Sequence, residues 1–482
     1  MDTPLSLNPL LSRTLFPHLP AYPERMIQFG EGNFMRAFTA WQVQQMNQQG
    51  RFQGSVVMIK PQGSPVSEHY AKQDHLYTVL INGIAEQQIV REHEILHSVS
   101  RLISPYTEYE RFLALAEQDS LEFITSNTTE AGITYNPEDR LTDAPQRSFP
   151  GKLTALLYRR YQLGKAGFTI IPCELIDRNG EKLREIVLRH AADWNLGDGF
   201  TDWLERENTF CCSLVDRIVP GFPQERADQL EQELGYRDRL MVTAEPYLLW
   251  VIEGPAWLPE RLPLAESGLN VIYTDDLRPY REQKVHLLNG PHTAMTALGL
   301  LAGLETVEEV MNDEDLSVFV RELMEEEIVP MLDLPIERLI AYAQAVRERF
   351  MNPFIRHELA SISLNSIAKF QTRLLPVLLR YRRERGDLPK RITLSFAALL
   401  VGYRGDRLER KDSPDVLTLF DRAWAHPAEV IPTLLQEAKL WGEDLSGVPE
   451  LADTLERYVR KLDAFGARAT LQWIGGGSPC GD

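Results

Sequence analysis

Arg25-Met-Ile-Gln-Phe29 runs without a break into Gly30-Glu31-Gly32, after which Phe34, Ala37, Phe38, Trp41 and Met46 recur near helical spacing until Gly50 stops the pattern. A buried strand, a glycine turn and an amphipathic helix in that order begin a doubly wound α/β sheet. The first glycine of such a turn permits the tight bend, the second lets backbone approach a pyrophosphate, and the helix start offers free N–H groups. The sixth position of the usual six-residue glycine pattern is Met35, so the glycine that normally brings helix and strand close together is missing. A dinucleotide turn and an ordinary strand-to-helix loop both fit this segment. Apolar runs at 55–59, 121–126 and 168–175 supply further strands.

At 482 residues the chain exceeds one ordinary core, and two domains are expected. Strand-like runs become scarce beyond Arg278, where amphipathic segments take over at 315–329, 337–350, 374–385 and 451–462. The charged, proline-marked stretch Asp275-Asp-Leu-Arg-Pro-Tyr-Arg-Glu282 is the expected junction. The predicted architecture is α/β: an N-terminal Rossmann-like doubly wound sheet domain over 1–277 that binds a dinucleotide, followed by a mostly α-helical catalytic and substrate domain over 278–482.

Composition narrows the partners. A net charge of -18 without a long Lys/Arg block argues against nucleic acid, and Arg380, Arg382, Arg383 and Arg385 alternate with Glu384 on what reads as a solvated helix end. Cys173, Cys211, Cys212 and Cys480 form no CxxC pair and no Cys/His metal spacing, so no metal is expected. No basic start with an apolar h-region precedes Pro23, and no apolar run suffices to cross a bilayer, which places the chain in the cytoplasm with no membrane partner.

Chemistry concentrates in Lys284-Val-His-Leu-Leu-Asn289-Gly-Pro-His292, where an amine, a carboxamide and an imidazole stand in a mostly apolar stretch. On an ideal helix the side chains of Lys284, Asn289 and His292 share a sector of about 140°, within reach of one substrate. Pro291 cannot donate to the carbonyl of Leu287, so the helix either kinks there or starts near Gly290. This cluster is expected to face the first domain across a cleft.

Two further segments bear on a cofactor. Lys60 stands where a carboxylate usually ends the second strand to receive the adenine ribose; it either favours the extra phosphate of NADP or points into solvent. Thr125-Ser-Asn-Thr-Thr-Glu130-Ala-Gly132 gathers hydroxyls and one acid after a strand, which suits the nicotinamide side of a cleft and equally a plain turn.

In this order the pieces resemble the long-chain mannitol dehydrogenase family of polyol and hexuronate reductases, which depend on a nicotinamide coenzyme and need no metal. The resemblance rests on IQFGEGNFMRAF from Ile27, SNTTEAG from Ser126, VDRIVP from Val215, KVHLLNGPH from Lys284, and RFMNPFI from Arg349 followed by Lys369, and so spans nearly the whole chain. It implies NAD as cofactor, bound by Ile27, Gln28, Phe29, Gly30, Glu31, Gly32, Asn33, Phe34, Met35, Arg36 and Ala37 together with Thr129 and Glu130. The family's catalytic lysine maps onto Lys284, and its asparagine and histidine onto Asn289 and His292. YPERMIQFGEGNF, SNTTEAGITY, IIPCELID and LVDRIVPG are closest to the members that act on sugar acids, so the implied small-molecule substrate is a hexulosonate, tagaturonate in particular.

Ketone reduction needs a proton donor within hydrogen-bond reach of the developing alkoxide, and Lys284 is the expected one. Asn289 would aim its amide at the same oxygen, and His292 would hold a neighbouring substrate hydroxyl or orient the ketone. A guanidinium suits the substrate carboxylate, with Arg349, Arg356, Lys369 and Arg373 as candidates, and Asp216 would accept a substrate hydroxyl or pair with Arg217. The asparagine that polyol dehydrogenases supply after a Cys-Asp pair aligns with Leu175 in Cys173-Glu174-Leu175, where Glu174 and Asn179 are the nearby polar residues. Rival readings are a fructuronate or polyol reductase of the same family and a cofactor-binding regulator without turnover.

Overall fold

A computed structural model describes residues 8–129 and 131–476. The chain divides into two compact units, Met1–Gly83 with Ile89–Leu277, and Ile84–Gln88 with Arg278–Asp482.

The first unit is built on six parallel strands, Glu24–Phe29, Ser55–Ile59, Val99–Ile103, Phe123–Ser126, Thr169–Pro172 and Thr209–Phe210. Counted in chain order they lie third, second, first, fourth, fifth, sixth across the sheet, the arrangement of a dinucleotide-binding fold with its switch point beside the first strand. Ser-Val-Val-Met-Ile59 is buried at every position because helices cover both faces of a parallel sheet. Alternation divides the side chains: Ile27, Phe29, Val57, Ile59, Ile124 and Ile170 join one apolar cluster, while Met26, Val56, Met58, Phe123 and Ile171 join the other.

The segment read as one helix after the glycine turn is two, Asn33–Ala37 and Thr39–Gln48. They break at Phe38, whose fully buried ring is stacked on Phe34 at 4.8 Å and meets Trp250 at 5.4 Å. Helical spacing locates the apolar positions but not a backbone bent to seat one of them. Two small sheets also escaped the sequence reading. One orders Val242–Ala244, Tyr77–Ala85 and Gln88–Leu96; the other orders Val271–Thr274, Leu249–Glu253 and Cys212–Asp216 with one antiparallel pairing.

One buried amide ties this unit together. Asn179 Nδ2 donates to the carbonyls of Pro172, Glu174 and Ser213, each at 3.0 Å, while its Oδ1 accepts from the backbone N–H groups of Gly180 and Ser213, each at 2.9 Å. The end of one strand, the start of the Asn179–Asp193 helix and the Cys212–Asp216 strand all depend on it.

The second unit is helical. Its centre is Lys390–Gly402, buried from Ile392 onward, beside Gly290–Leu301 and Leu451–Ile474. Ser395 Oγ donates to the Ala294 carbonyl at 3.2 Å, and the Phe396 ring meets Phe370 at 4.5 Å and Trp441 at 4.8 Å. The expected amphipathic segments appear as Ile336–Phe350, Leu375–Arg385 and Leu451–Ile474, while the one at 315–329 is an α-helix, Glu314–Glu322, that widens into a π-turn, Leu323–Ile328. That turn delivers the buried Glu327 carboxylate to the N–H groups of Arg391 (2.8 Å) and Ile392 (2.9 Å), satisfying donors that a helix start leaves open. No helix among the described residues is long and apolar enough to cross a membrane.

Replacing Asn179 by Ala removes five buried hydrogen bonds, although the Pro172 carbonyl keeps Ser213 Oγ and the Glu174 carbonyl keeps the Ile176 N–H, so the unfolding midpoint of the first unit, followed by near-ultraviolet circular dichroism in urea, should fall by the equivalent of about 3–5 kcal/mol.

Candidate functional site

Lys284 ends the Arg278–Lys284 helix, and Val285–Asn289 continues it as a π-turn into Gly290–Leu301. Gly290 N–H donates back to the Val285 carbonyl, an i→i+5 bond. Pro291 has no N–H to continue an α-type ladder, and the wider turn accommodates it without ending the helix. The sequence reading left a kink or a fresh start at Gly290; an α-helix does start at Gly290, joined to the preceding one by the π-turn. A turn closed by an i→i+5 bond is wider than an α-turn, which narrows the angle between Asn289 and Lys284 from the about 140° of an ideal α-helix. Both side chains are half-buried, whereas His292 on the next turn is buried.

His292 lies in a nest of cations. Its ring is 4.2 Å from Phe350 and 4.8 Å from His357 between centroids. Burial holds its pKa well below the ordinary 6.5, and His357, Arg349, Arg373 and Lys369 push it further down. It is therefore a neutral imidazole, and its Nε2 is a buried polar atom without a hydrogen-bond partner among the described residues. Arg373 Nη1 donates to Thr293 Oγ1 at 3.2 Å, and Thr293 Oγ1 donates to the Asn289 carbonyl at 3.0 Å, so the guanidinium is tied to the turn that carries Asn289. The Arg373 carbonyl is 2.7 Å from His286 Nδ1. Gly290 packs closely here: a Cβ there would lie 3.3 Å from a Leu374 methyl and 3.6 Å from the Arg373 carbonyl. Burial lowers the pKa of both Arg373 and Lys369, and Lys369 Nζ donates to the Ile362 carbonyl at 2.7 Å.

Of the four candidate carboxylate binders, Arg349, Lys369 and Arg373 surround His292, and Arg356 does not. Arg356 is exposed and pairs with Glu305 and Glu358, so this chain member of the candidate set is a surface residue. His357 was missed by the sequence reading. It sits in an irregular loop after Asn352-Pro353, where periodicity carries no signal, although the RFMNPFI motif ends two residues earlier. Asp216 belongs to the first unit, buried at the end of its strand opposite Leu249. Its neighbour Arg217 donates to the carbonyls of Glu245 (3.0 Å) and Ala37 (2.7 Å), lies 4.4 Å from the Trp41 ring centroid, and is lowered to about 10 by burial, an effect Glu245 opposes.

In the first unit, Ile27, Gln28 and Phe29 form the buried strand that delivers the glycine turn. Gly30 has φ +121°, and a Cβ there would come within 2.9 Å of the Asn127 carbonyl. Around Gly32, by contrast, a Cβ would meet nothing within 4 Å, which leaves its surface open to a ligand. Met35, in place of the last glycine, is buried against the turn, and Arg36 reaches the Leu240 carbonyl and Asn33 Oδ1. Asn33, Phe34 and Ala37 complete the short helix. These features fit a pyrophosphate held against backbone at Gly30–Gly32. Lys60 neither points to solvent nor stands ready for a phosphate: it is buried in an ion pair with Glu31.

The Ser126–Thr129 loop is clamped by Glu174, which accepts from Ser126 Oγ, Thr128 N–H and Thr128 Oγ1, each at 2.9 Å. Burial raises the Glu174 pKa against those bonds. Thr129 adopts φ +80°, a costly conformation for a β-branched residue that the clamp sustains. Glu130 lies outside the described residues. Leu175 is 59% exposed, and neither polar neighbour supplies the missing family amide, because Asn179 is saturated by backbone and Glu174 by the clamp. Among the described residues no group of three His, Cys, Asp or Glu side chains could hold a metal.

Comparison with known proteins ties these observations to a lineage. Residues 24–266 match the mannitol dehydrogenase Rossmann domain and residues 276–463 the mannitol dehydrogenase C-terminal domain. An altronate oxidoreductase of Bacillus subtilis (strain 168) is 46% identical over 470 residues, covering 96% of this chain and 97% of that one. One from Pectobacterium atrosepticum is 46% identical over 483 residues, covering 96% and 99%. Among solved structures, a substrate-free D-sorbitol dehydrogenase superposes with a TM-score of 0.82 at 22% identity over 96% of this chain and 100% of the other. A Pseudomonas fluorescens mannitol 2-dehydrogenase, in ternary complex with NAD and D-mannitol, gives 0.68 at 24% identity over 97% and 99%. With both of its units matched, each by the corresponding domain, and its fold shared with two polyol dehydrogenases, the chain belongs to the mannitol dehydrogenase family.

Proposed function

We propose that this protein is an NAD-dependent oxidoreductase that interconverts tagaturonate and altronate, with Lys284 as general acid and base. The observation that carries the reading is the neutral imidazole of His292, its Nε2 without a partner among the described residues, inside a nest of Arg349, Lys369, Arg373 and His357, on the helix that directly follows the turn carrying Lys284 and Asn289. A neutral polyol has no use for a buried arginine beside two half-buried cations, whereas a sugar acid brings the carboxylate that would neutralise them. Full-length likeness to altronate oxidoreductases supports the same substrate class.

The coenzyme, when bound, supplies the hydride for the carbonyl carbon. The chain's own residues handle the oxygen. Lys284 donates a proton from its ammonium to the developing alkoxide in reduction and takes it back in oxidation. Asn289, one wide turn above, points an N–H at the same oxygen and stabilises the charge by roughly 3 kcal/mol. His292, held neutral, offers its free ring nitrogen to an adjacent substrate hydroxyl and adds no further positive charge to the nest. Arg373, fastened through Thr293 to the Asn289 turn, couples the position of the carboxylate to that of the reacting carbonyl.

NADH oxidation followed with tagaturonate, fructuronate and fructose side by side tests the assignment: tagaturonate should give the highest kcat/KM, and a preference for fructose would overturn it. Lys284→Ala should lower kcat by about 10²- to 10⁴-fold with an unchanged circular dichroism spectrum; near-normal turnover removes the lysine from its role. Arg373→Ala should raise KM for the sugar acid by about 10- to 100-fold and leave the weak turnover of fructose nearly unaltered.

Acid sensitivity follows from the buried histidines. His286, His292 and His357 all titrate below the ordinary 6.5 because burial opposes their charge, and the cations Arg349, Lys369 and Arg373 face His292 as well. Above that value all three are neutral in folded and unfolded chains alike and contribute no pH dependence. Below it the unfolded chain takes up protons that the folded chain refuses, so stability declines until the folded pKa is reached. Urea midpoints measured from about pH 7.5 down to about pH 5.5 should fall, and His292→Asn should show a shallower decline than the wild type.

A further inference from the structure

Parallel register sets Phe29 opposite Ile59, and the Gly30 N–H donates to the Ile59 carbonyl at 2.9 Å. The residues that follow on each side, Glu31 in the glycine turn and Lys60 at the end of the second strand, are therefore neighbours through the backbone itself. Lys60 continues its own ladder by donating its N–H to the Ile103 carbonyl at 2.9 Å, while its side chain turns back and joins Glu31 in an ion pair. Only 9% of the Lys60 side chain and 21% of the Glu31 side chain remain exposed. The backbone of Glu31 is fixed as well, because the buried phenol of Tyr70 donates to its carbonyl at 2.9 Å.

In a doubly wound dinucleotide fold the group at the end of the second strand faces the adenosine ribose. A carboxylate there accepts from the ribose hydroxyls, and a cation there accommodates the 2′-phosphate of the phosphorylated coenzyme. A lysine read from sequence at that position suggests the second case. In the folded protein its charge is already paired with Glu31, the more exposed member of the pair.

We propose that Glu31 is the ribose-reading carboxylate of this protein, with Lys60 as its positioning residue, and that the pair selects the nicotinamide coenzyme lacking a 2′-phosphate. The inference rests on the reading of the first unit as a coenzyme-binding domain and adds the residue that sets its preference. A 2′-phosphate meets the Glu31 carboxylate, and it gains Lys60 only by breaking a buried ion pair. Removing the Glu31 charge reverses this situation, since Lys60 is then left without its anion in the place where a phosphate would sit.

Titration of intrinsic tryptophan fluorescence with NADH and with NADPH, in the absence of any sugar, reads the preference directly on the wild type, Glu31→Gln and the double variant Glu31→Gln/Lys60→Gln. The wild type should bind NADH more tightly. Glu31→Gln should weaken NADH and strengthen NADPH, each by about tenfold, the worth of one charge-assisted hydrogen bond. The double variant should lose the NADPH gain and keep the NADH deficit. Circular dichroism and thermal midpoints near those of the wild type establish that the variants are folded, and Lys60→Gln alone serves where Glu31→Gln is not. Because Lys60 only positions Glu31, Lys60→Gln should weaken NADH without creating NADPH affinity. An unaltered ratio of the two affinities in folded Glu31→Gln, with NADH still bound, overturns this inference alone. Failure of the wild type to bind either coenzyme overturns the coenzyme-binding reading together with it.

Discussion

The chemistry of the second unit depends on a helix that carries a proline without stopping. Pro291 offers no hydrogen to the turn before it, and the chain answers with an i→i+5 turn at Val285–Asn289. That choice changes which side chains share a face. It narrows the angle between Asn289 and Lys284, and Gly290 lies close to the end of the Ser366–Arg373 helix, whose Arg373 guanidinium reaches Thr293. An uninterrupted α-helix would spread amine and amide round the axis, and a broken one would release their spacing altogether.

Burying like charges together is costly, and the nest around His292 shows how the fold limits the cost. The imidazole stays neutral, Arg373 and Lys369 spend donors on Thr293 and on the Ile362 carbonyl, and burial depresses the pKa of both. What remains is a positive site whose stability is held below what an apolar filling would give, as is usual where a protein keeps a place for a charged ligand. The same economy appears in the first unit with the opposite sign. Buried Glu174 is raised by desolvation yet clamped by three donors from Ser126 and Thr128, and this clamp holds Thr129 in a backbone conformation it would not choose.

Much of this was legible from residues alone where local rules suffice. The run from Glu24 through Gly32 announced a strand and a glycine turn because apolar alternation and glycine act within a few residues. The Ser55–Ile59 strand and the helices from Ile336, Leu375 and Leu451 were equally visible in their periodicity. Reading failed where a partner distant in sequence decided. Phe38 breaks a helix because Trp250 waits in the core, Lys60 turns inward because Glu31 lies across the parallel register, and Arg356 is drawn to the surface glutamates Glu305 and Glu358. Asn179 looked like a spare amide near a missing catalytic one, and its five hydrogen bonds to backbone put it to purely structural use.

The sequence by itself determined the strand, glycine turn and helix that open the first unit, the division of labour between a sheet-built and a helical half, and the residue types available for proton transfer and anion binding. Those follow from hydrophobic period, glycine and proline stereochemistry, and the short spacing of Lys284, Asn289 and His292. Tertiary structure alone decided which charges are already spent and which are kept for a ligand. An ion pair, a hydrogen bond or a depressed pKa depends on what another part of the chain brings within a few ångströms, and nothing in the local pattern around Lys60, Arg356 or His357 encodes that neighbour.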